Sequence, residues 1–153
     1  MADITKVYMT WKQFDDDIND FVEFIRQYEF DSDSVILALK RGGFATAATM
    51  SNKTGIPVST VTFQTRDGDD IKPYFLEPDL ITRATKIILP DDIYDTGTTV
   101  EKTINALITD YNVPIDNIVG LFHYGSENIY STSLNYYRVV QRNHGSWICF
   151  PWE

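Results

Sequence analysis

The stretch that decides the fold is Lys86-Ile87-Ile88-Leu89-Pro90-Asp91-Asp92-Ile93-Tyr94-Asp95-Thr96-Gly97-Thr98-Thr99-Val100. Its apolar run, Ile87 to Leu89, predicts a buried strand that stops at two adjacent carboxylates, Asp91 and Asp92. Adjacent carboxylates at the end of a buried strand repel each other and are costly to desolvate unless a cation, a ligand hydroxyl or water faces them. We therefore predict a functional site at this strand end.

The residues after the two carboxylates predict a turn into a helix. The turn runs through Thr96-Gly97-Thr98-Thr99, and apolar residues then recur at helical spacing. Thr98 as N-cap, with Glu101 three residues later, predicts a capping box at the helix start. Strand, site and helix thus form one continuous segment.

A second strand-to-helix turn has the residues of an anion site. The apolar run Val35 to Leu39 predicts a buried strand, Lys40-Arg41-Gly42-Gly43 follows directly, and small residues predict a helix from Phe44 to about Thr54. Free backbone N–H groups at a helix start, glycines that permit close approach and two cations suit a pyrophosphate. An ordinary turn with surface cations is the alternative, and these residues alone leave both open.

The rest of the chain alternates between helical and strand patterns. Thr10 and Gln13 form a predicted capping box for a first helix, whose acidic residues fall mostly on the solvent face. Strands are predicted at 58–63, 117–122 and 136–140, with a short one at 72–76 after a polar turn at 65–70. This order predicts an α/β fold with a mostly parallel central sheet flanked by helices. Because ligands bind beyond the carboxyl ends of such strands, we expect both turns at one edge.

Composition excludes several classes of function. The 153 residues, 43% of them apolar, suit a single domain over 1–153, and a formal charge of -9 argues against nucleic acid or an anionic membrane as partner. The chain begins without the apolar run of a signal peptide, so we expect a cytoplasmic protein. Cys149, His123 and His144 are too few for a structural zinc site, which leaves a hard ion held by oxygens.

The segment 88–99 resembles the phosphoribosyl pyrophosphate (PRPP) motif of type I phosphoribosyltransferases: apolar residues, two acids, two variable residues, then Asp-Thr-Gly-x-Thr. Three further segments resemble parts of the bacterial and archaeal xanthine-guanine phosphoribosyltransferase group: Thr10-Trp11, Leu39 to Gly43 and Trp147 to Trp152. The resemblance implies the type I phosphoribosyltransferase fold, with a small C-terminal hood formed mainly by about 123–153 and a flexible loop. For the polar stretch 64–85, the residues themselves leave two alternatives open, a lid or binding loop and a plain surface hairpin.

The resemblance also implies a reaction. A phosphoribosyltransferase of this group transfers the 5-phosphoribosyl group from PRPP to a purine base, here guanine, xanthine or hypoxanthine, and releases pyrophosphate in purine salvage. It implies Mg²⁺ as cofactor and a homodimer or homotetramer. A regulatory protein of the same fold, which binds PRPP or a nucleotide with little or no catalysis, is the alternative.

The family's roles are carried over by position. The resemblance implies that the ribose and the 5-phosphate are bound by Asp91, Asp92, Asp95, Thr96, Gly97, Thr98 and Thr99. Asp91 and Asp92 would also meet Mg²⁺, and pyrophosphate would lie on Lys40, Arg41, Gly42 and Gly43, where the family often has a strained or cis peptide. The implied catalytic residues are Lys40 and Arg41, which serve the leaving group, and Asp95, which orients or exchanges a proton with the base. Alternatively, Asp95 only shapes the phosphate loop.

The implied base-binding residues are Trp147, which would stack on the purine, the backbone near Ile148, and Tyr124. An aromatic plug or a dimer contact is the alternative for Trp147. Two departures concern the base and the lid. Where purine-using relatives carry a lysine for the 6-oxo group, this chain has His123-Tyr124-Gly125, with His123 either a cation for the base or a structural residue. The family's Ser-Tyr lid pair is replaced by Gln64-Thr65.

Overall fold

The computed structural model describes residues 4–66 and 70–153; positions 67–69 of the predicted polar turn lie outside the described residues. The elements in chain order are β1 (Lys6–Tyr8), α1 (Trp11–Gln27), β2 (Ser34–Leu39), α2 (Phe44–Thr54), β3 (Val58–Arg66), β4 (Asp70–Phe75), α3 (Pro78–Arg83), β5 (Lys86–Tyr94), α4 (Thr98–Tyr111), β6 (Ile118–Gly125), β7 (Tyr136–Arg142) and β8 (Trp147–Cys149). Short 3-10 turns occupy Ile115–Asn117 and Glu127–Ser131.

The main sheet has six strands in the order β4-β3-β2-β5-β6-β7. All neighbouring pairs are parallel except β3 and β4, which form an antiparallel hairpin. The predicted α/β architecture with a mostly parallel sheet is confirmed. Because β2 and β5 are parallel neighbours, the turns that follow them leave the sheet at the same edge.

A separate two-stranded parallel sheet is formed by β1 and β8, with Lys6 opposite Trp147 and Val7 opposite Ile148. The last strand thus pairs with the first, whereas β7 is part of the main sheet. Within the described parts of the chain, no helix is long and apolar enough to cross a membrane.

Helix α1 follows its sequence pattern. The Gln13 N–H donates to Thr10 Oγ1 at 3.1 Å, and the Thr10 N–H donates to Gln13 Oε1 at 2.8 Å, so the predicted capping box is confirmed. The apolar stripe is buried against one face of the main sheet, and most of the acids face solvent. Asp17 is the exception, because it is 8% exposed and bonds to His123.

Two predictions for the stretch 86–100 are wrong in detail. Strand β5 continues past the carboxylates to Tyr94, because Ile93 and Tyr94 still pair with β6. Helix α4 begins at Thr98 with Gly97 as N-cap and no side-chain cap, so Thr98 is not the N-cap. The cause is the left-handed conformation of Gly97, whose φ is 81°, which turns the chain one residue earlier. Glu101 bonds elsewhere and forms no capping box.

Candidate active site

The 40–43 turn lies against Pro90 and Asp92 of β5. A Cβ added at Gly42 would lie 2.6 Å from the Cγ and both carboxylate oxygens of Asp92. A Cβ at Gly43 would lie 2.6 Å from the Pro90 carbonyl oxygen and 2.9 Å from the Leu39 nitrogen. A Cβ at Gly43 would collide with backbone atoms that cannot shift locally, whereas a Cβ at Gly42 would force the end of the Asp92 side chain to move. The two glycines therefore allow the turn to approach the end of β5 closely with Asp92 in its present position.

The two carboxylates are held at the strand end by their own backbone. The Asp92 N–H donates to Asp91 Oδ1 at 2.9 Å, and the Ile93 N–H donates to Asp92 Oδ1 at 2.7 Å. Burial and the adjacent Asp92 carboxylate raise the pKa of Asp91 well above its ordinary value. In the described part of the chain no group of three or more His, Cys, Asp or Glu residues is placed to hold a metal ion. A cation here would therefore need ligand or water oxygens beside this pair.

The 95–99 segment carries an exposed carboxylate at the start of a helix. The Asp95 side chain is exposed, while its carbonyl oxygen accepts hydrogen bonds from Ser126 Oγ at 2.5 Å and Asn128 Nδ2 at 3.0 Å. The first N–H groups of α4 lack intrahelical acceptors, which makes this helix start a site for an anion. Sequence reasoning missed Ser126 and Asn128, because nothing in their spacing connects them to Asp95.

The 40–43 turn is a tight backbone structure with exposed cations. The Gly43 N–H donates to the Leu39 carbonyl at 2.9 Å, the peptide bond between Lys40 and Arg41 is cis, and both cationic side chains are exposed. A cavity of about 520 Å³ separates these two cations from the β3 side of the hairpin, where it is lined by Thr62, Phe63 and Gln64. The β3–β4 hairpin, which contains Gln64 and Thr65, thus forms one wall beside the cationic turn.

A second cavity, of about 380 Å³, lies between the 40–43 turn, Asp92 of β5 and the 150–153 segment. Its lining residues are Arg41, Gly42, Asp92, Trp152 and Glu153. The Trp152 ring stacks on Phe150, with ring centroids 4.8 Å apart. Trp152 and Glu153 were not among the predicted site residues; the aromatic composition of their segment was the available signal, and it pointed to Trp147 instead. A different cavity of about 420 Å³ lies at the opposite edge of the sheet, beside Asp33 and Gly55.

The three residues predicted for the base do not line the cavity beside Asp92. Trp147 is 60% exposed on β8, Ile148 is buried, and Tyr124 is 4% exposed with its ring against Phe150. Burial also raises the pKa of Tyr124. His123 is fully buried and hydrogen-bonded on both ring nitrogens, so it presents no cation to this cavity.

Comparisons with known proteins assign the chain to a family. The phosphoribosyl transferase domain matches residues 6–153. Among solved structures, the chain is similar to a purine phosphoribosyltransferase from Pyrococcus horikoshii, with 28% identity and a TM-score of 0.71 over 98% of this chain and 95% of that one. No curated protein sequence matches it significantly.

Two further solved structures share the fold. A xanthine-guanine-hypoxanthine phosphoribosyltransferase from Helicobacter pylori is 17% identical, with a TM-score of 0.72 over 97% of this chain and 93% of that one. A hypothetical protein from Neisseria gonorrhoeae with bound ppGpp is 18% identical, with a TM-score of 0.75 over 100% of this chain and 92% of that one. Because the domain match spans residues 6–153, the chain belongs to the phosphoribosyltransferase family, with a type I fold that resembles the 6-oxopurine group.

Proposed function

We propose that this protein transfers the 5-phosphoribosyl group from PRPP to a purine base, with release of pyrophosphate, in purine salvage. The observation that carries the proposal is the contact between Gly42 and the Asp92 carboxylate. It brings a cationic, glycine-containing turn and an acidic pair to one point, where the two ends of a single ligand can be held. A cytoplasmic homodimer or homotetramer of one domain per chain remains part of the proposal.

The 91–99 segment is the proposed site for the ribose 5-phosphate. Asp91 and Asp92 accept hydrogen bonds from the ribose hydroxyls, which offsets the burial and the mutual repulsion that raise the pKa of Asp91. The phosphate lies on the backbone and hydroxyl groups at the start of α4, with the helix dipole behind it. The contributing residues are Asp95, Thr96, Gly97, Thr98 and Thr99.

The 40–43 turn is the proposed pyrophosphate site. Lys40 and Arg41 are exposed cations there, while Gly42 and Gly43 keep the turn free of side chains. Carboxylate oxygens are hard donors, so Asp91 and Asp92 fit Mg²⁺ when ligand and water oxygens complete its coordination. Bound Mg²⁺ would supply charge neutralisation for the leaving pyrophosphate. Glu153 lines the same cavity as Asp92.

The displacement at the ribose C1 passes through an oxocarbenium-like state, as in glycoside hydrolysis. The chain's own contribution is to stabilise the departing anion with Lys40 and Arg41 and to hold the base nitrogen in line with the C1 atom. Asp95 carries an exposed carboxylate directly after β5, and its carbonyl oxygen is held by Ser126 and Asn128. We assign it the task of orienting the imidazole part of the purine and of taking its proton.

The proposed base site lies at the aromatic C-terminal segment and the end of β6. Trp147 offers an exposed indole face for stacking, and the backbone at Ile148 and the hydroxyl of Tyr124 are the proposed edge contacts. The similarity to a purine phosphoribosyltransferase from P. horikoshii supports a purine. Trp152 is an additional aromatic wall, because it lines the cavity beside Asp92.

The test is a panel of bases. The protein is incubated with PRPP, Mg²⁺ and guanine, xanthine, hypoxanthine, adenine or orotate in separate reactions, and pyrophosphate release is followed. We expect release with at least one 6-oxopurine at a rate well above the base-free control. Release with orotate or adenine alone would contradict the 6-oxopurine assignment. Tight PRPP binding with no release for any base would favour the regulatory alternative.

Replacing Asp95 by asparagine tests its assigned role. We expect kcat to fall about a hundredfold, because the amide cannot take the proton of the base, while the affinity for PRPP changes by less than about threefold. Initial rates and calorimetric PRPP titrations measure the two effects. Asp110→Asn, an exposed carboxylate near the far end of α4, is the matched control and should leave both unchanged. Equal losses in PRPP affinity and turnover would instead assign Asp95 to the shape of the loop.

A further inference from the structure

His123 lies inside the protein with both ring nitrogens hydrogen-bonded to side chains from two different helices. Its Nδ1 is 2.7 Å from Asp17 Oδ2 on α1, and its Nε2 is 2.7 Å from Thr46 Oγ1 on α2. His123 and Thr46 are 0% exposed and Asp17 is 8% exposed. The aromatic rings of Phe14, Phe21, Phe150 and Trp152 surround the imidazole. The three side chains therefore form a buried hydrogen-bonded chain within an apolar core.

Thr46 differs from two other threonines of α2 in its hydrogen-bond partner. Thr49 donates to the Ala45 carbonyl and Thr54 to the Met50 carbonyl, each four residues earlier. The residue four before Thr46 is Gly42, in the 40–43 turn, yet the Thr46 hydroxyl bonds to His123 instead. Threonine in a helix commonly bonds back in this way when no other partner competes. His123 thus takes the Thr46 hydroxyl away from the turn.

The bond between His123 and Thr46 also joins α2, which follows the 40–43 turn, to β6, the strand beside β5. Thr46 lies in the first turn of α2, directly after the 40–43 turn. His123 lies on β6 between Phe122 and Tyr124, which are paired with Asp91 and Ile93 of β5. The bond between His123 and Thr46 therefore spans from the strand beside the carboxylate pair to the helix that carries the cationic turn.

We propose that His123 is a positioning residue for the pyrophosphate half of PRPP, and that it acts through Thr46. The inference rests on the proposed role of the 40–43 turn. The hydrogen bond between its Nε2 and Thr46 fixes the position of the start of α2 relative to β5. The backbone of Gly42 and Gly43 can then bind the pyrophosphate while Asp91 and Asp92 bind the ribose. Its Nδ1 bond to Asp17 anchors the ring and contributes to the stability of the fold.

Two substitutions separate the two nitrogens. In His123→Asn the amide can occupy the place of Nδ1 and keep the bond to Asp17, but it is too short for Thr46. In His123→Gln the amide can reach the place of Nε2 and keep the bond to Thr46, but it leaves Asp17 without its partner. Thr46→Val removes the hydroxyl at constant volume, and Thr46→Ser is its conservative control.

The measurement is calorimetric titration of each variant with Mg²⁺-PRPP, inorganic pyrophosphate and ribose 5-phosphate, together with the unfolding temperature. We expect His123→Asn and Thr46→Val to weaken PRPP and pyrophosphate about tenfold, with ribose 5-phosphate within twofold. His123→Gln and Thr46→Ser should keep pyrophosphate affinity within threefold, although His123→Gln lowers the unfolding temperature.

The outcomes are distinct. Equal weakening of pyrophosphate and ribose 5-phosphate would reduce His123 to a structural residue and overturn the proposal. Unchanged pyrophosphate affinity in both His123→Asn and Thr46→Val would overturn it too. If His123→Asn does not fold, the near-isosteric pair at Thr46 decides the question. Failure of the unaltered protein to bind PRPP would instead contradict the proposed function.

Discussion

Gly42→Ala is expected to lower the affinity for PRPP about a hundredfold while the protein remains folded. The added Cβ would lie 2.6 Å from the Cγ, Oδ1 and Oδ2 atoms of Asp92, well inside contact distance. The carboxylate is the free end of a short side chain and borders a cavity, so it can move aside at a cost of about 1 kcal/mol in stability. That movement takes Asp92 away from the ribose hydroxyls. Hydrogen bonds to a charged group contribute about 1.5 to 3 kcal/mol, and about 2.8 kcal/mol corresponds to a hundredfold in affinity.

The matched control for Gly42→Ala is Gly55→Ala. Gly55 is the C-cap of α2, with φ at 78° and no atom near its missing Cβ, so alanine there strains only the backbone. We expect a loss of about 1 to 2 kcal/mol in the free energy of unfolding and no change in PRPP affinity. Calorimetric titration and urea unfolding of both variants measure the contrast. PRPP affinity within threefold of the unaltered protein in Gly42→Ala would show that the contact with Asp92 does not shape the site.

The parts of the fold that were predictable are those in which local pattern and tertiary environment agree. The apolar run 87–89 is a buried strand because both faces of β5 meet a layer of apolar side chains, Ile88 on one side and Ile87 and Leu89 on the other. Parallel pairing then brings the two turns to one edge, which the order of strands and helices already implied. The Thr10 capping box is equally local, because its partners are three residues apart.

The parts that were not predictable depend on partners distant in sequence. Asp17 has the same helical environment as its acidic neighbours, and only its bond to His123, 106 residues later, makes it a buried residue. Trp152 differs from Trp147 by its position over the cavity beside Asp92, which follows from the pairing of β8 with β1. Ser126 and Asn128 contribute to the site only because β6 ends beside the 95–99 segment. None of these contacts can be predicted from the spacing of residues along the chain.

Glu101 shows the same limit and leads to a measurable effect on stability. Its spacing from Thr98 predicted a helix cap, but the carboxylate instead accepts four hydrogen bonds from outside α4. The donors are Tyr94 Oη at 2.9 Å, Thr132 Oγ1 at 2.7 Å, and the Ser133 N–H and Oγ at 2.8 and 2.7 Å. Burial raises the pKa of Tyr94 to about 12, so its hydroxyl remains a donor at neutral pH. Glu101 therefore connects α4, the end of β5 and the segment before β7.

Glu101→Gln is expected to lower the free energy of unfolding by about 2 kcal/mol at pH 7. The substitution replaces one carboxylate oxygen by an amide nitrogen, which then faces groups that donate hydrogen bonds. A hydroxyl can turn to accept a hydrogen bond, but the Ser133 N–H can only donate. The figure allows for screening, because the Glu101 carboxylate is only half-buried. Glu23→Gln, on the exposed face of α1, is the control and should change stability by less than about 0.5 kcal/mol.

The pH dependence identifies the charge as the cause. Burial acts to raise the pKa of Glu101, but the hydrogen bonds from Ser133, Thr132 and Tyr94 outweigh it and lower this pKa below its ordinary value of 4.5. A carboxylate with a lowered native pKa contributes stability above the unfolded pKa and loses it as the pH falls through the native one. The difference between the unaltered protein and Glu101→Gln in urea unfolding should be largest near pH 7 and shrink steadily below about pH 4.5. A difference that stays constant across this range would assign the effect to packing, since the charge of Glu101 would then contribute nothing to the connection between α4 and Ser133.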